Sequence, residues 1–170
     1  MRIRDAEAAD LATITTIYNH AVENTTAIWN EDTVDIEDRA AWLRTRTEQG
    51  FPVLVAVDGS GVLGYATFGA WRPHTGYRHT VELSVYVHPD RHGRGIGGEL
   101  MTALIERART LGKHVMVAAV ESGNSASIRL HEKHGFVRTG LLPQVGMKFG
   151  AWLDLAFLQL VLDERSAPPA

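Results

Sequence analysis

Apolar and polar positions follow two periods along the chain, and the places where one gives way to the other predict the elements. Arg2–Arg4 reads as a short strand. Leu11, Ile14, Ile17, Tyr18, Ala21 and Val22 recur at helical spacing behind Asp10, a residue type that caps helices. Asn24–Asn30 reads as a loop. Asp35 can start a second helix that ends before Gly50. Phe51–Val57 and Val62–Phe68 flank the turn Asp58-Gly59-Ser60-Gly61 and read as a hairpin. Trp71–His79 is a polar and aromatic loop, Thr80–Val87 a strand, and His88-Pro89-Asp90 breaks it. A helix from about Gly97 to Leu111 has Leu100, Met101, Leu104, Ile105 and Ala108 on one face. Val115–Val120 reads as a buried strand and Ser125–His134 as a short helix closed by Gly135. The remainder to Leu162 reads as strands with Gly146 and Gly150 between them. Strands mixed with helices on both sides of one sheet make the fold α/β, or α+β in some schemes.

Composition narrows the chemistry. The 170 residues suit one domain over 1–165 and a short frayed tail over 166–170, Ser-Ala-Pro-Pro-Ala. No cysteine is present, which excludes disulfides, thiolate metal sites and a cysteine-bound acyl group. A formal charge of −3 gives no reason to expect a nucleic-acid or anionic-membrane partner. No stretch approaches the roughly 20 apolar residues of a membrane span, and the start carries no apolar signal region, so a cytoplasmic protein is expected. The eight histidines do not cluster at ligand spacing, and no metal is expected.

The sharpest local motif is Arg91-His92-Gly93-Arg94-Gly95-Ile96-Gly97-Gly98, between a strand and a helix. Glycines let a backbone approach a ligand, and the free N–H groups of a helix start favour an anion. With Arg91 and Arg94 beside them, they read as a phosphate or pyrophosphate cradle; the plainer reading is a tight turn with exposed arginines. Gly93, Gly95 and Gly98 also fit G-x-G-x-x-G, with Glu121 ending the next strand as a dinucleotide fold requires. Against that, His88–His92 separate strand from glycine, about eighty residues precede the motif, and few βαβ units follow.

His92-Gly93-Arg94-Gly95-Ile96-Gly97 resembles the coenzyme-A pyrophosphate loop of the Gcn5-related N-acetyltransferases, Gln/Arg-x-x-Gly-x-Gly/Ala, with His92 departing at the first position. Asn124-Ser125-Ala126-Ser127 and Leu130–Phe136 resemble that superfamily's second signature. Asn24–Asn30, Trp71-Arg72-Pro73, Thr80-Val81-Glu82, Val85-Tyr86-Val87, His114–Ala118 and Pro143–Asp154 are similar to the phosphinothricin acetyltransferase group. Within that group they look most like bacterial methionine sulfoximine and methionine sulfone N-acetyltransferases. The resemblance covers nearly the whole chain. It implies a mixed, mostly antiparallel sheet splayed in the middle, acetyl-CoA as co-substrate in the gap, an amino-acid-like small molecule as acceptor, and a homodimer.

An amino group of pKa about 8 or above is mostly protonated at pH 7 and needs a base before it can attack a thioester. Glu82 shares one strand face with Ser84 and Tyr86, among apolar neighbours that raise a carboxylate pKa. A surface ion pair is the plain reading of such an acid, and the resemblance makes it the base. The resemblance also implies that the backbone of Val85, Tyr86 and Val87 holds the pantetheine arm and the acyl oxygen. It implies that His92, Gly93, Arg94, Gly95, Ile96, Gly97 and Gly98 hold pyrophosphate and that Asn124 touches the arm; Asn124 as a simple helix cap is the alternative. Many relatives carry tyrosine where this chain has His131, which reads either as a proton donor to the departing thiolate or as a packed core group. Lys133 reads as a phosphate contact or as a solvated side chain. In the loop before the strand, Arg72 or Arg78 can fork onto a carboxylate. Thr75, Gly76 and Tyr77 can bond an oxidised sulfur or phosphorus group, and Trp29 and Tyr77 can wall the pocket. Lys148, Trp152 and Asp154 read as closing the site or supporting a dimer. A different amine acceptor on the same fold (a protein N-terminus or a polyamine) and an acetyl-CoA-binding protein without catalysis are the rival readings.

Overall fold

The computed structural model describes residues 1–169. Strands β1 (Arg2–Asp5), β2 (Val53–Asp58), β3 (Gly61–Ala70), β4 (Thr80–Val87), β5 (Val115–Glu121), β6 (Val137–Lys148) and β7 (Ala151–Val161) form one sheet in the order β1-β2-β3-β4-β5-β7-β6. All neighbours are antiparallel except β4 and β5. Helices α1 (Leu11–Asn24) and α2 (Ile36–Glu48) lie on one face, and α3 (Ile96–Thr110) and α4 (Ser125–Lys133) on the other. The sequence-based elements agree with this apart from end residues and two particulars.

The larger core lies between the sheet and α3. The predicted face of α3 is buried in full, Leu100, Met101, Leu104 and Ala108 having no exposed surface, against Phe68, Val81 and Met116 of the strands. The second face is smaller: Ile14 and Ile17 of α1 meet Val55 and Tyr65. No residue of α2 is buried, so it is held only at its margin.

Two expectations are corrected. Asp10 does not cap α1 with its side chain. Its buried carboxylate instead takes both arms of Arg4 at 2.6 and 2.9 Å and the N–H of Glu7 at 2.9 Å. A charged fork outcompetes a helix N–H for a desolvated carboxylate. Asp35 does cap α2, accepting from the N–H of Asp38 at 2.8 Å. Gly146 does not separate two strands but lies within β6, where the register shifts between Leu142 and Gly146 and Gln144 has a φ of 53°. The true turn is Phe149-Gly150, with φ of 51° and 73°. Ser166–Pro169 is irregular and exposed beside His79 and His114; Ala170 of the expected tail lies outside the described residues.

Lys148, at the end of β6, is 1% exposed. Its ammonium donates to the carbonyl oxygens of Val22 (2.5 Å), Thr25 (2.7 Å) and Ile28 (2.5 Å). Burial pushes its pKa down, yet three acceptors require three N–H donors, which only the ammonium has. It closes the C-terminal end of α1, where carbonyls lack helical partners, and ties the following loop to the far edge of the sheet. Lys148→Met is expected to cost about 3 kcal/mol, lowering the thermal midpoint by roughly 6–12 °C; an unchanged midpoint in a calorimetric scan would show that the three bonds carry no stability.

Candidate active site

The parallel pair β4–β5 holds for only three register positions, Thr80↔Val115, Val81↔Met116 and Glu82↔Val117. Beyond Glu82, β4 keeps β3 as its partner to Val87, and β5 keeps β7 to Glu121. The two strands therefore separate, and from Leu83 onward the inner edge of β4 offers backbone N–H and C=O groups with no strand opposite. The resulting cleft of about 610 Å³ is lined by Val85, Tyr86, Val87, His92, Glu121 and Asn124, with the Asn24–Ala27 loop across from them. A small recess of about 70 Å³ at its base reaches Ser84, Ser127 and His131.

At the outer end of the cleft stands the glycine-rich turn. Gly93 and Gly95 have φ of 76° and 77°, left-handed backbone that admits glycine without strain, and a Cβ on either would point into open space. Gly95 is the N-cap of α3; the N–H groups of Ile96 and Gly97 have no partner among the described residues, while that of Gly98 donates to the Gly95 carbonyl at 3.0 Å. Arg94 is exposed beside them. Nε2 of His92 donates back to the carbonyl of Val87 at 3.1 Å, fastening the turn to the end of β4. That fastening gives a physical use to the one position where the loop departs from the family pattern.

Glu82 is half-buried at the point where the strands part. Loss of water raises its pKa above the ordinary 4.5, and the charges of Arg72 and then Arg46 pull it back. No hydrogen bond holds the carboxylate among the described residues. Tyr86, two residues on, is pushed up to about 12 by burial and stays a neutral phenol.

His131 lies in the wall of the recess, 4% exposed, edge-on to Phe136 with ring centres 5.2 Å apart. Nδ1 lies 2.7 Å from the carbonyl oxygen of Ser127. A carbonyl only accepts, so Nδ1 carries the proton and Nε2, buried without a partner, presents a lone pair in the neutral ring. Burial lowers its pKa below 6.5, against the opposing Ser127 bond. Asn124 both caps α4, accepting from the N–H of Ser127 at 3.1 Å, and lines the cleft. Lys133 is exposed and is not brought to the cleft.

The loop before β4 carries the acceptor candidates. Arg72 is exposed and stacked 4.2 Å over the ring of Trp71, near enough to act on Glu82. Arg78 instead bonds the carbonyl of Thr75 at 3.2 Å, and its own carbonyl accepts from Lys113. Thr75, Gly76 and Tyr77 form a short 3-10 turn. Tyr77 borders a second cavity of about 330 Å³ with Trp71, Phe157, Thr139 and Gln159. Trp29 is elsewhere: its indole donates to the carbonyl of Thr26 at 2.9 Å and covers Gly146, where a Cβ would come within 2.2 Å of the ring. It does not share a cavity with Tyr77.

Four residues at the site carry no sequence signal for the role their place gives them, Glu121 reading only as a possible ribose-binding acid. Glu121 faces the cleft, taking the N–H of Gly123 at 2.7 Å and the hydroxyl of Thr26 at 3.2 Å. Phe157 and Gln159 come from the last strand, distant along the chain. Arg46 arrives from α2. Pairings across so many residues are set by sheet order, which periodicity does not reveal.

With this geometry in hand, residues 14–136 match the model of the acetyltransferase (GNAT) family. The chain is 62% identical over 168 residues to the L-methionine sulfoximine/L-methionine sulfone acetyltransferase of Pseudomonas aeruginosa, covering 98% of each. It is 58% identical over 170 residues to the L-amino acid N-acyltransferase MnaT of Escherichia coli, covering 100% of this chain and 99% of that one. The structure of yncA from Salmonella typhimurium with its cofactor acetyl-CoA superposes with a TM-score of 0.97 at 58% identity, over 100% of this chain and 98% of that one.

The bonding of His131 predicts its titration. Its Nε2 is expected to remain unprotonated at pH 7, with a midpoint below 6.5, in an NMR titration of the ring carbons. A midpoint above 6.5 would mean that the recess stabilises an imidazolium.

Proposed function

The chain belongs to the GNAT family of acetyltransferases, and from that premise we propose that it moves the acetyl group of acetyl-CoA to the α-amino group of small amino-acid analogues. L-Methionine sulfoximine, L-methionine sulfone and phosphinothricin are the acceptors. One observation carries the reading: the unpaired edge of β4 begins at a desolvated carboxylate and runs to an open glycine cradle.

The residues present fit acetyl-CoA. Space above Gly93 and Gly95 and the free N–H groups at the start of α3 suit a pyrophosphate; the backbone of Val85–Val87 suits an extended amide-bearing arm, added as a strand is added to a sheet edge. Asn124 is at hand across the gap. When bound, acetyl-CoA supplies the acyl group as an activated thioester.

The protein's own tasks are then few. Glu82 accepts a proton from the acceptor's ammonium, directly or through water, freeing the nitrogen lone pair. The raised pKa suits a base that must take a proton from an ammonium, while the charges of the two arginines oppose the rise. Backbone N–H groups at Val85–Val87 face the side on which negative charge grows on the acyl oxygen. His131, with its lone pair inward, is suited to accept a hydrogen bond near the sulfur; it acts as a proton donor only after gaining a proton. Arg72 supplies a cation to the oxygen-bearing groups of the acceptor, and the cavity of Trp71, Tyr77 and Phe157 receives its side chain.

The proposed assembly is a homodimer. β6 is an edge strand, and Val137, Leu141, Met147 and, on β7, Trp152 are each more than half exposed. An apolar edge of this kind supports coverage by a second copy, since uncovered edges invite non-specific pairing.

The direct test is release of free coenzyme A from acetyl-CoA with L-methionine sulfoximine, L-methionine sulfone, phosphinothricin, spermidine and a peptide amine. Turnover with the first three alone is expected; turnover confined to spermidine or the peptide would overturn the acceptor class. Glu82→Gln should bind acetyl-CoA as before and lose about 10²–10⁴ in kcat. In the wild type, activity should fall as pH drops through a Glu82 pKa above 4.5, because the base is lost on protonation, and this limb should vanish in the variant. Unchanged turnover in Glu82→Gln would remove the base from the mechanism.

A further inference from the structure

Arg46 is half-buried in the last turn of α2, yet its guanidinium makes no hydrogen bond and no ion pair among the described residues. A cation near a helix C-terminus is favourable in itself. That accounts for a charge in the turn, where Arg46 is the one basic residue, and not for a side chain turned inward and left unbonded. Arg39 of the same helix shows the usual outcome: it is paired with Asp38 and stacked on Tyr18 at 4.4 Å and Trp42 at 5.0 Å. A desolvated guanidinium with five unused donors is costly unless something anionic joins it.

Its position says where that anion would lie. The guanidinium rests on the backbone of Gly69, where a Cβ would fall 1.6 Å from Nη1. Gly69 is directly opposite Glu82 in the β3–β4 register; Glu82 is opposite Val117, and Val117 opposite Gln159. One row across a single face of the sheet thus reads Arg46 above Gly69, then Glu82, then the floor of the aromatic cavity at Val117 and Gln159. Neighbouring strands stand about 4.8 Å apart. An amine at Glu82 has a free cation one strand away on one side and an apolar-walled cavity on the other, while Arg72 stands over Trp71 at the cavity wall. The three substituents of an amino-acid α-carbon that must be told apart (ammonium, carboxylate and side chain) meet three different environments in that row.

We propose that Arg46 is the carboxylate-binding residue of the acceptor site, so that the substrate is recognised as an α-amino acid and not as a simple amine, leaving Arg72 to the oxygen-bearing end of the side chain. This rests on the N-acetyltransferase reading above. The pull of Arg46 on Glu82 agrees with a fork one strand from the base. Gly69 belongs to the same device, since only a residue without Cβ leaves the guanidinium its seat.

The experiment compares kcat/KM for L-methionine sulfone and for the amine that lacks its carboxylate, 3-(methylsulfonyl)propylamine, in the wild type, Arg46→Met and Gly69→Ala. Taking the ratio of the two substrates cancels any effect of Arg46 on Glu82 and any general loss of folded protein. The ratio is expected to fall roughly 100-fold in Arg46→Met, the size of losing one partner of a desolvated charge pair, and in the same direction in Gly69→Ala, which keeps the arginine and takes away its seat. A ratio unchanged in both variants would overturn the proposal and leave Arg46 a structural cation. If the wild type turned over neither compound, the acetyltransferase reading would fail by itself. Arg46 would then be judged by calorimetric binding of L-methionine sulfone to the coenzyme-A-loaded protein: weaker binding in Arg46→Met supports the assignment, and equal binding or none in the wild type overturns it.

Discussion

Everything functional in this molecule depends on two parallel strands that stop pairing. β4 and β5 share three register positions and then follow different partners, β4 staying with β3 and β5 with β7. A sheet normally spends every backbone donor and acceptor on its neighbours. Here the inner edge of β4 keeps its own beyond Glu82, in the middle of a seven-stranded sheet where water is partly excluded. The opening is sustained from both faces. The α3 core clamps β2, β3 and β4 from below, and the Lys148 ammonium, linking β6 to the end of α1, holds the Asn24–Ala27 loop across the mouth. Were the strands to zip together, neither the cleft nor the raised carboxylate would exist.

The electrostatics follow from that geometry. Glu82 sits where pairing ends, so loss of water raises its pKa, and the charges of Arg72 and Arg46, neither close enough to bond it, oppose the rise. A carboxylate in an ion pair would be a poor base, and one in an apolar pocket without cations would be protonated at neutral pH. Held between these limits, it stays unbonded with its pKa raised. His131 is the counterpart across the cleft: its proton is committed to Ser127 and its lone pair is left for the recess.

Much of this was legible in the residues. The apolar faces of α1 and α3 announced both cores, because a helix can hide its stripe only against the sheet. Glycines between strand and helix announced a turn of left-handed backbone, and Gly93 and Gly95 adopt the conformation that only glycine adopts freely. Where local rules misled, a stronger partner from elsewhere had claimed the group. Asp10 looked like a cap and was taken by Arg4; Gly146 looked like a break and is room for Trp29 inside a bulged strand.

The sequence by itself determined the elements, the two cores, the glycine turn between β4 and α3 and the identity of Glu82 as the one acid on its strand. These are read within one element, from periodicity and from residue types whose conformational limits are local. Only the tertiary structure decided what surrounds that acid. Arg46 comes from α2, Gln159 and Phe157 from β7, Glu121 from β5, and the lysine that closes α1 from the end of β6. No local signal ties residues that far apart, because strand order and register, and not spacing along the chain, bring them to the cleft and to the end of α1.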